Sequence, residues 1–440
     1  DELEKLCKNY LKFLDKGKTE RECVKQIVKQ AEEKGYVNLA DITKDKKALK
    51  AGDKVYSVCM DKTVALFQIG KKKLEKGMNI LGAHIDSPRM DVKQNPLYES
   101  EEFAYLDTHY YGGIKKYQWV TLPLALHGVV AKKDGTVITV NVGEDKNDPV
   151  FCVTDLLIHL AGEQMEKKAN KVIEGENLDV LVGSKPLEGK EKDAVKEGIL
   201  EILKEKYDMT EEDFMSAEIE VVPAGHAREA GLDHSMVMSY GQDDRVCAYT
   251  SLAAMLEVEE VEKTTCCLLT DKEEIGSVGA TGMQSRFFEN SVAELMDAMG
   301  EFSELSLRRC LANSSMLSSD VNAAYDPLFA NAFEKNNASY FGRGVVFSKF
   351  TGSRGKSGSN DANARIRKMM DKNEVCFQTA ELGKVDVGGG GTIAYILSLY
   401  GMEVIDCGVA VLNMHAPWEI TSKADIYEAY KCYKVFLKEA

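Results

Sequence analysis

The chain has no long hydrophobic run. Nowhere in its 440 residues is there an apolar stretch of the roughly 20 residues that a membrane-spanning helix needs. The opening segment, DELEKLCKNYLKFLDKGKTE, is charged and reads as an amphipathic helix, without the apolar centre of a secretion signal. Paired cysteines are missing too. The eleven cysteines are scattered with no C-x-x-C, and Cys266-Cys267 falls in a strand-like apolar run. That excludes a zinc ribbon, speaks against a disulfide framework and points to a reduced, cytoplasmic protein. Positive charge is in deficit: 56 Lys and Arg against 71 Asp and Glu leave a net charge of −15. Such a surface opposes nucleic acid and anionic membranes. Internal repeats and low-complexity segments are also absent. The run GGGG at 388–391 lacks the Lys-Ser/Thr of a phosphate-binding loop, so it reads as a helix start.

What is present is a soluble globular composition, 44% hydrophobic and 29% charged, long enough for two or three domains. ECVKQIVKQAEEKG has helical periodicity, and KVYSVCM, TVALFQIG and NILGAHI read as strands. LALHGVVAKKDGTVITVNVG predicts a hairpin turning at Asp134-Gly135. VTDLLIHLAGEQMEKKAN, KDAVKEGILEILKEKY and SVAELMDAMGEFSELS read as helices. From about residue 236 strands alternate with helices, which implies an α/β fold with a mostly parallel central sheet flanked by helices. The expected division is a discontinuous domain, 1–91 with 236–440, interrupted by an inserted β-rich domain, 92–235.

Chemistry-bearing residues recur at strand ends: His84 and Asp86 after NILGA, Asp243-Asp244 after MSYGQ, Glu273-Glu274 after CCLLTDK, Asp320 after MLSS, and His415 after GVAVLNM. In an open α/β sheet ligands bind at the carboxyl ends of the strands. Two imidazoles with several carboxylates form a donor set for two zinc-like ions sharing a carboxylate. A doubled acid offers one carboxylate to metal and one as general base.

The blocks GAHIDSPRMDVKQNPLYE, GQDDRVCAYTSL, DKEEIGSVGATG, SSDVNAAYDP and NMHAPWEI, in this order, resemble the M18 family of zinc aminopeptidases, the aspartyl aminopeptidase group. The resemblance runs over about residues 40–435. It implies that His84 binds one zinc and that Asp86 orients it. Asp243 bridges the two ions, with a cis peptide after it. Glu273 is the general base, Glu274 a ligand, and Asp320 and His415 complete the two ions. Cobalt or manganese would also suit these donors.

The same resemblance implies removal of N-terminal, often acidic, residues from short peptides. Lys349 matches the lysine that meets the substrate side chain, with Arg354 and Lys356 as fallback cations. His159 matches a histidine that reaches a neighbouring subunit. The loop GSRGKSGSND is longer than in eukaryotic members, so the acidic preference stays open. The family assembles as homo-oligomers, often dodecamers, and the inserted domain would make dimer contacts. Rival readings are a related deacylase or broader aminopeptidase, and an inactive scaffold. The first differs in accepting acylated substrates, the second in lacking a ligand or base.

Overall fold

Residues 1–350, 360–389 and 392–440 are described by the structure, a computed structural model. Arg354, Lys356 and most of the loop GSRGKSGSND lie outside the described residues, as do Gly390 and Gly391. Contacts divide the chain into two units, Asp1–Ser87 with Ala227–Met414 and Glu419–Ala440, and Pro88–His226 with His415–Trp418.

In the first unit a nine-stranded sheet is built from β1 (Val37–Asn38), β2 (Lys54–Cys59), β3 (Thr63–Gln68), β4 (Met78–His84), β5 (Thr264–Thr270), β6 (Ser315–Ser318), β7 (Val345–Ser348), β8 (Phe377–Thr379) and β9 (Glu403–Gly408). Their order is β1-β2-β3-β5-β4-β6-β9-β7-β8. The four central strands, β5-β4-β6-β9, are parallel. Antiparallel pairing enters on both sides, at β2-β3, β3-β5 and β7-β9. The expected parallel sheet is therefore the centre of a mixed one. Helices include α1 (Glu2–Lys16), α2 (Glu20–Glu33), α3 (Gln242–Glu257), α4 (Phe287–Ala298), α5 (Glu304–Ala312), α6 (Asn360–Lys372) and α7 (Lys423–Glu439).

Side chains alternate across a strand, and here both faces are apolar. Leu81, Cys267, Leu317 and Ile405 join one buried core with α1, α2, α3 and α7. Their strand neighbours Ile80, Cys266, Met316 and Val404 join another with α4 and α5. The adjacent cysteines are thus one residue in each core, and all eleven cysteines are free.

The second unit carries a six-stranded antiparallel sheet of strands 137–142, 124–131, 217–223, 89–100, 103–111 and 180–183, in that order. Its 124–131/137–142 hairpin turns through Gly135 at φ +88°. Two expected helices take other forms. Around 154–171 the chain makes only short turns, Ile158–Leu160, Gly162–Met165 and Ala169–Lys171. Leu156, Leu157, Ile158 and Leu160 stay exposed, so the apolar pattern has no surface of its own unit to pack on. SVAELMDAMGEFSELS splits into α4 and α5, because Gly300 takes φ +69° and Ser303 caps the next helix. No helix among the described residues is long and apolar enough to cross a membrane.

Candidate metal centre

His84 is the last residue of β4 and is fully buried. Its Nδ1 lies 3.0 Å from the Asp86 carbonyl oxygen and 3.1 Å from Asp86 Oδ1. Those acceptors hold the proton on Nδ1 and leave Nε2 as the donor atom for an ion. Nε2 faces Asp243 Oδ1 at 3.3 Å, Glu273 Oε2 at 3.5 Å and Asp320 Oδ1 at 3.7 Å.

Asp86 does more than orient the imidazole. Its carboxylate also accepts the backbone N–H groups of Glu273 (3.2 Å) and Glu274 (3.1 Å). One buried side chain thereby fixes both the histidine and the turn that presents two glutamates. That turn follows β5, where Asp271 accepts from Thr281 Oγ1 at 2.6 Å and Lys272 takes φ +68°.

Asp243 and Asp244 precede the regular part of α3, joined by a cis peptide. Ser87 Oγ donates to the Asp243 carbonyl at 2.7 Å, and Asp243 N–H donates to Glu419 Oε1 at 3.1 Å. Asp244 Oδ2 accepts from the His84 backbone N–H at 3.3 Å. Asp244, the second acid of the pair, is grouped with Asp243 and Asp320 within 4.8 Å. Groups of the same kind are His84, Glu273 and Asp320, and His84, Asp243 and Glu274.

Crowding six carboxylates, four of them buried, round one imidazole without a cation is costly. Burial and then its anionic neighbours push Glu273 up to about 8, with His84 opposing. Burial raises Asp244 and Asp320 as well. Burial opposes the charged form of His84, yet Glu273, Asp243, Asp320 and Asp86 overcome it and raise the imidazole well above its usual value. Nε2 of His84 and Oδ1 of Asp244 are buried without a hydrogen bond. A cluster that draws protons onto its own donors, with unbonded atoms facing inward, fits a divalent cation.

The other expected site residues are placed as follows. His415 falls in the second unit, where Nδ1 donates to the Gly113 carbonyl at 2.7 Å, and it is in none of the donor groups found among the described residues. Lys349 is exposed, with Nζ 5.7 Å from the Phe350 ring. It lines a cavity of about 240 Å³ with Phe347, Phe377, Arg367 and Glu381. His159 sits in the exposed turn Ile158–Leu160 of the second unit. Glu419 and Asp271 were not singled out from sequence. The first lies in NMHAPWEI and the second opens DKEEIGSVGATG, so membership of a marked block was their only signal.

A doubly covered α/β sheet with carboxylates and an imidazole converging at the ends of its parallel strands defines a metal-dependent hydrolase. Residues 13–437 match the aminopeptidase I zinc metalloprotease family, M18, and the chain belongs to that family. It is 63% identical over 430 residues to a probable M18 family aminopeptidase 1 of Clostridium acetobutylicum, covering 97% of this chain and 92% of the relative. The crystal structure of an M18 aminopeptidase from Thermotoga maritima superposes with a TM-score of 0.95 at 45% identity, covering 100% of this chain and 97% of that one. A dodecamer of an S. cerevisiae protein shares the fold at TM-score 0.80 and 21% identity, over 98% and 96% of the two chains. The protein is a zinc metallo-aminopeptidase of the M18 family.

Proposed function

We propose that the enzyme holds two zinc ions per chain and releases N-terminal residues, acidic ones included, from short peptides. The observation that carries this reading is His84 Nε2 facing three carboxylates within 3.7 Å, with Glu274 and Asp244 in the same cluster. Asp243 belongs to donor groups with Glu274 and with Asp320, which suits a carboxylate shared between ions. Asp320 and His415 would complete the two ligand sets. His415 Nδ1 is committed to a carbonyl, which selects the tautomer in which Nε2 could ligate.

When bound, zinc supplies a Lewis acid for the scissile carbonyl and acidity to a water. Glu273 takes the proton of the attacking water and returns it to the leaving amine. A carboxyl displaced toward neutrality by burial and neighbouring charge is suited to both transfers. Asp86 keeps Glu273 in place through its backbone N–H and keeps His84 in the ligating tautomer. Lys349 would provide the local cation that an acidic side chain needs in a chain of net charge −15.

The 92–235 segment would carry dimer contacts, with His159 offered to a partner subunit, and assembly would be a homo-oligomer as in the yeast dodecamer. Free cysteines throughout suit a reducing, cytoplasmic setting. Glu273→Gln tests the base: kcat falls by about 10²–10⁴-fold while metal content stays that of the wild type. Wild-type turnover in that variant contradicts the assignment. Aminoacyl reporters bearing Asp, Glu, Leu, Ala and N-acylated residues, with metal restored after chelation, test specificity; preference for the acylated set would make the enzyme a deacylase.

A further inference from the structure

The opposite edge of the central sheet carries a concentration of positive charge that the peptidase reaction does not use. Lys72, Lys73 and Lys76 precede β4, and Lys263 precedes β5, so all stand at the amino ends of parallel strands. Among the described residues, these four lysines line an open depression of about 520 Å³. Lys263 also lines an adjoining cavity of about 490 Å³, with Arg365, Lys368 and Lys372 of α6. This cavity has an apolar side made by Met316, Val404, Ile405 and Phe436.

Part of this charge is matched. Arg365 pairs with Glu403, and Lys372 with Glu439 at 3.1 Å. Lys71, just outside, pairs with Glu260 at 3.3 Å and Glu262 at 3.6 Å. Among the described residues Lys72, Lys73, Lys76, Lys263 and Lys368 have no carboxylate within ion-pair distance. Lys263 is half-buried, and burial together with the charges of Lys72 and Arg365 lowers its affinity for a proton. Like charges held together at a cavity repel one another, most strongly where burial weakens solvent screening. Such crowding stands out in a chain with fifteen more acidic than basic charges.

We propose that this edge binds a phosphate chain, with the four lysines meeting the anion and the adjoining apolar wall receiving whatever group the chain carries. A triphosphate, with about four negative charges at neutral pH, matches the four lysines of the depression. Its two sources are inorganic triphosphate and a nucleoside triphosphate; the second also has a ring for the wall of Met316, Val404, Ile405 and Phe436. This reading is independent of the peptidase assignment, because none of its residues belongs to the metal cluster.

Titration calorimetry of the metal-loaded enzyme with inorganic tripolyphosphate and with ATP tests it. Both anions bind the wild type. Lys72→Gln/Lys73→Gln, two exposed changes, weakens both by about tenfold or more, as does Lys263→Met. Aminopeptidase turnover without anion is unchanged in these variants. Comparing variants with wild type separates the lysine site from chelation of the catalytic metal, which all of them retain. Equal affinity in wild type and variants, or no binding of either anion, overturns the proposal. Changed sedimentation of the variants without triphosphate binding also overturns it, by assigning the cluster to a subunit contact.

Discussion

Asp86 joins the two halves of the site. It receives His84 Nδ1 and the backbone N–H groups of Glu273 and Glu274, so its loss frees the imidazole and the turn that presents the two glutamates together. Asp86→Asn keeps the volume and removes the charge. Zinc affinity, measured by competition with a chelator, falls about 10–100-fold, and kcat falls even at saturating zinc. The buried acids set a pH dependence of stability as well. Burial, with help from Asp320, raises Asp406 to about 8, and Glu273 stands at about 8. Both keep protons in the folded chain that the unfolded chain releases, so stability falls as pH rises from the ordinary carboxylate range toward 8. The slope reaches about 1.4 kcal/mol per pH unit for each group. Chelated enzyme therefore melts at a higher temperature at pH 5 than at pH 8, and added zinc narrows the difference; a melting temperature that climbs over that range contradicts the buried cluster. The clustering of His84, Asp243, Glu273, Glu274 and Asp320 is legible because each stands at or just after the end of a strand-like run. Asp406 lies within β9, and Glu419 follows an irregular turn. Their roles depend on which strands become neighbours, and no local pattern announces that.

At the level of elements, one close approach connects β9 to the site. A Cβ on Gly408 would lie 1.8 Å from the Asp320 carbonyl oxygen, a backbone atom that cannot move without carrying the Asp320 side chain. Gly408→Ala displaces Asp320. Stability drops by about 1–3 kcal/mol in denaturant melts, and bound metal per chain drops with it. Helix capping offers a milder case. Ser303 accepts the Ser306 N–H at 3.0 Å, and Ser303→Ala costs about 1 kcal/mol without changing activity. The central strands could be read from their apolar runs because they are covered on both faces. The 89–100/103–111 hairpin could not. Its register shifts between Val92 and Leu97, and Pro96 stands nearby, so the alternation that marks a strand is broken in the middle. Helical periodicity around Leu156–Met165 misled for the opposite reason: the apolar residues are real, but their own unit offers them nothing to cover.

For the whole molecule those exposed residues carry a prediction. Leu157 and Ile158 are 53% and 67% exposed in the isolated chain, a cost that association would remove. Ile158→Asp shifts sedimentation toward smaller species and lowers activity if His159 serves a neighbouring subunit; unchanged sedimentation removes this turn from the interface. The order of strands has a different kind of consequence. β4 lies between β5 and β6, whose residues begin at 264 and 315. A ribosome must therefore translate the codons up to residue 264 before that strand gains its first neighbour, and those up to residue 315 before it gains the second. Through that interval an apolar segment waits without its sheet, in a nascent chain open to chaperones. The imidazole at its tip meets Asp320 only once the message has been read that far, so metal loading comes late in the life of each new polypeptide.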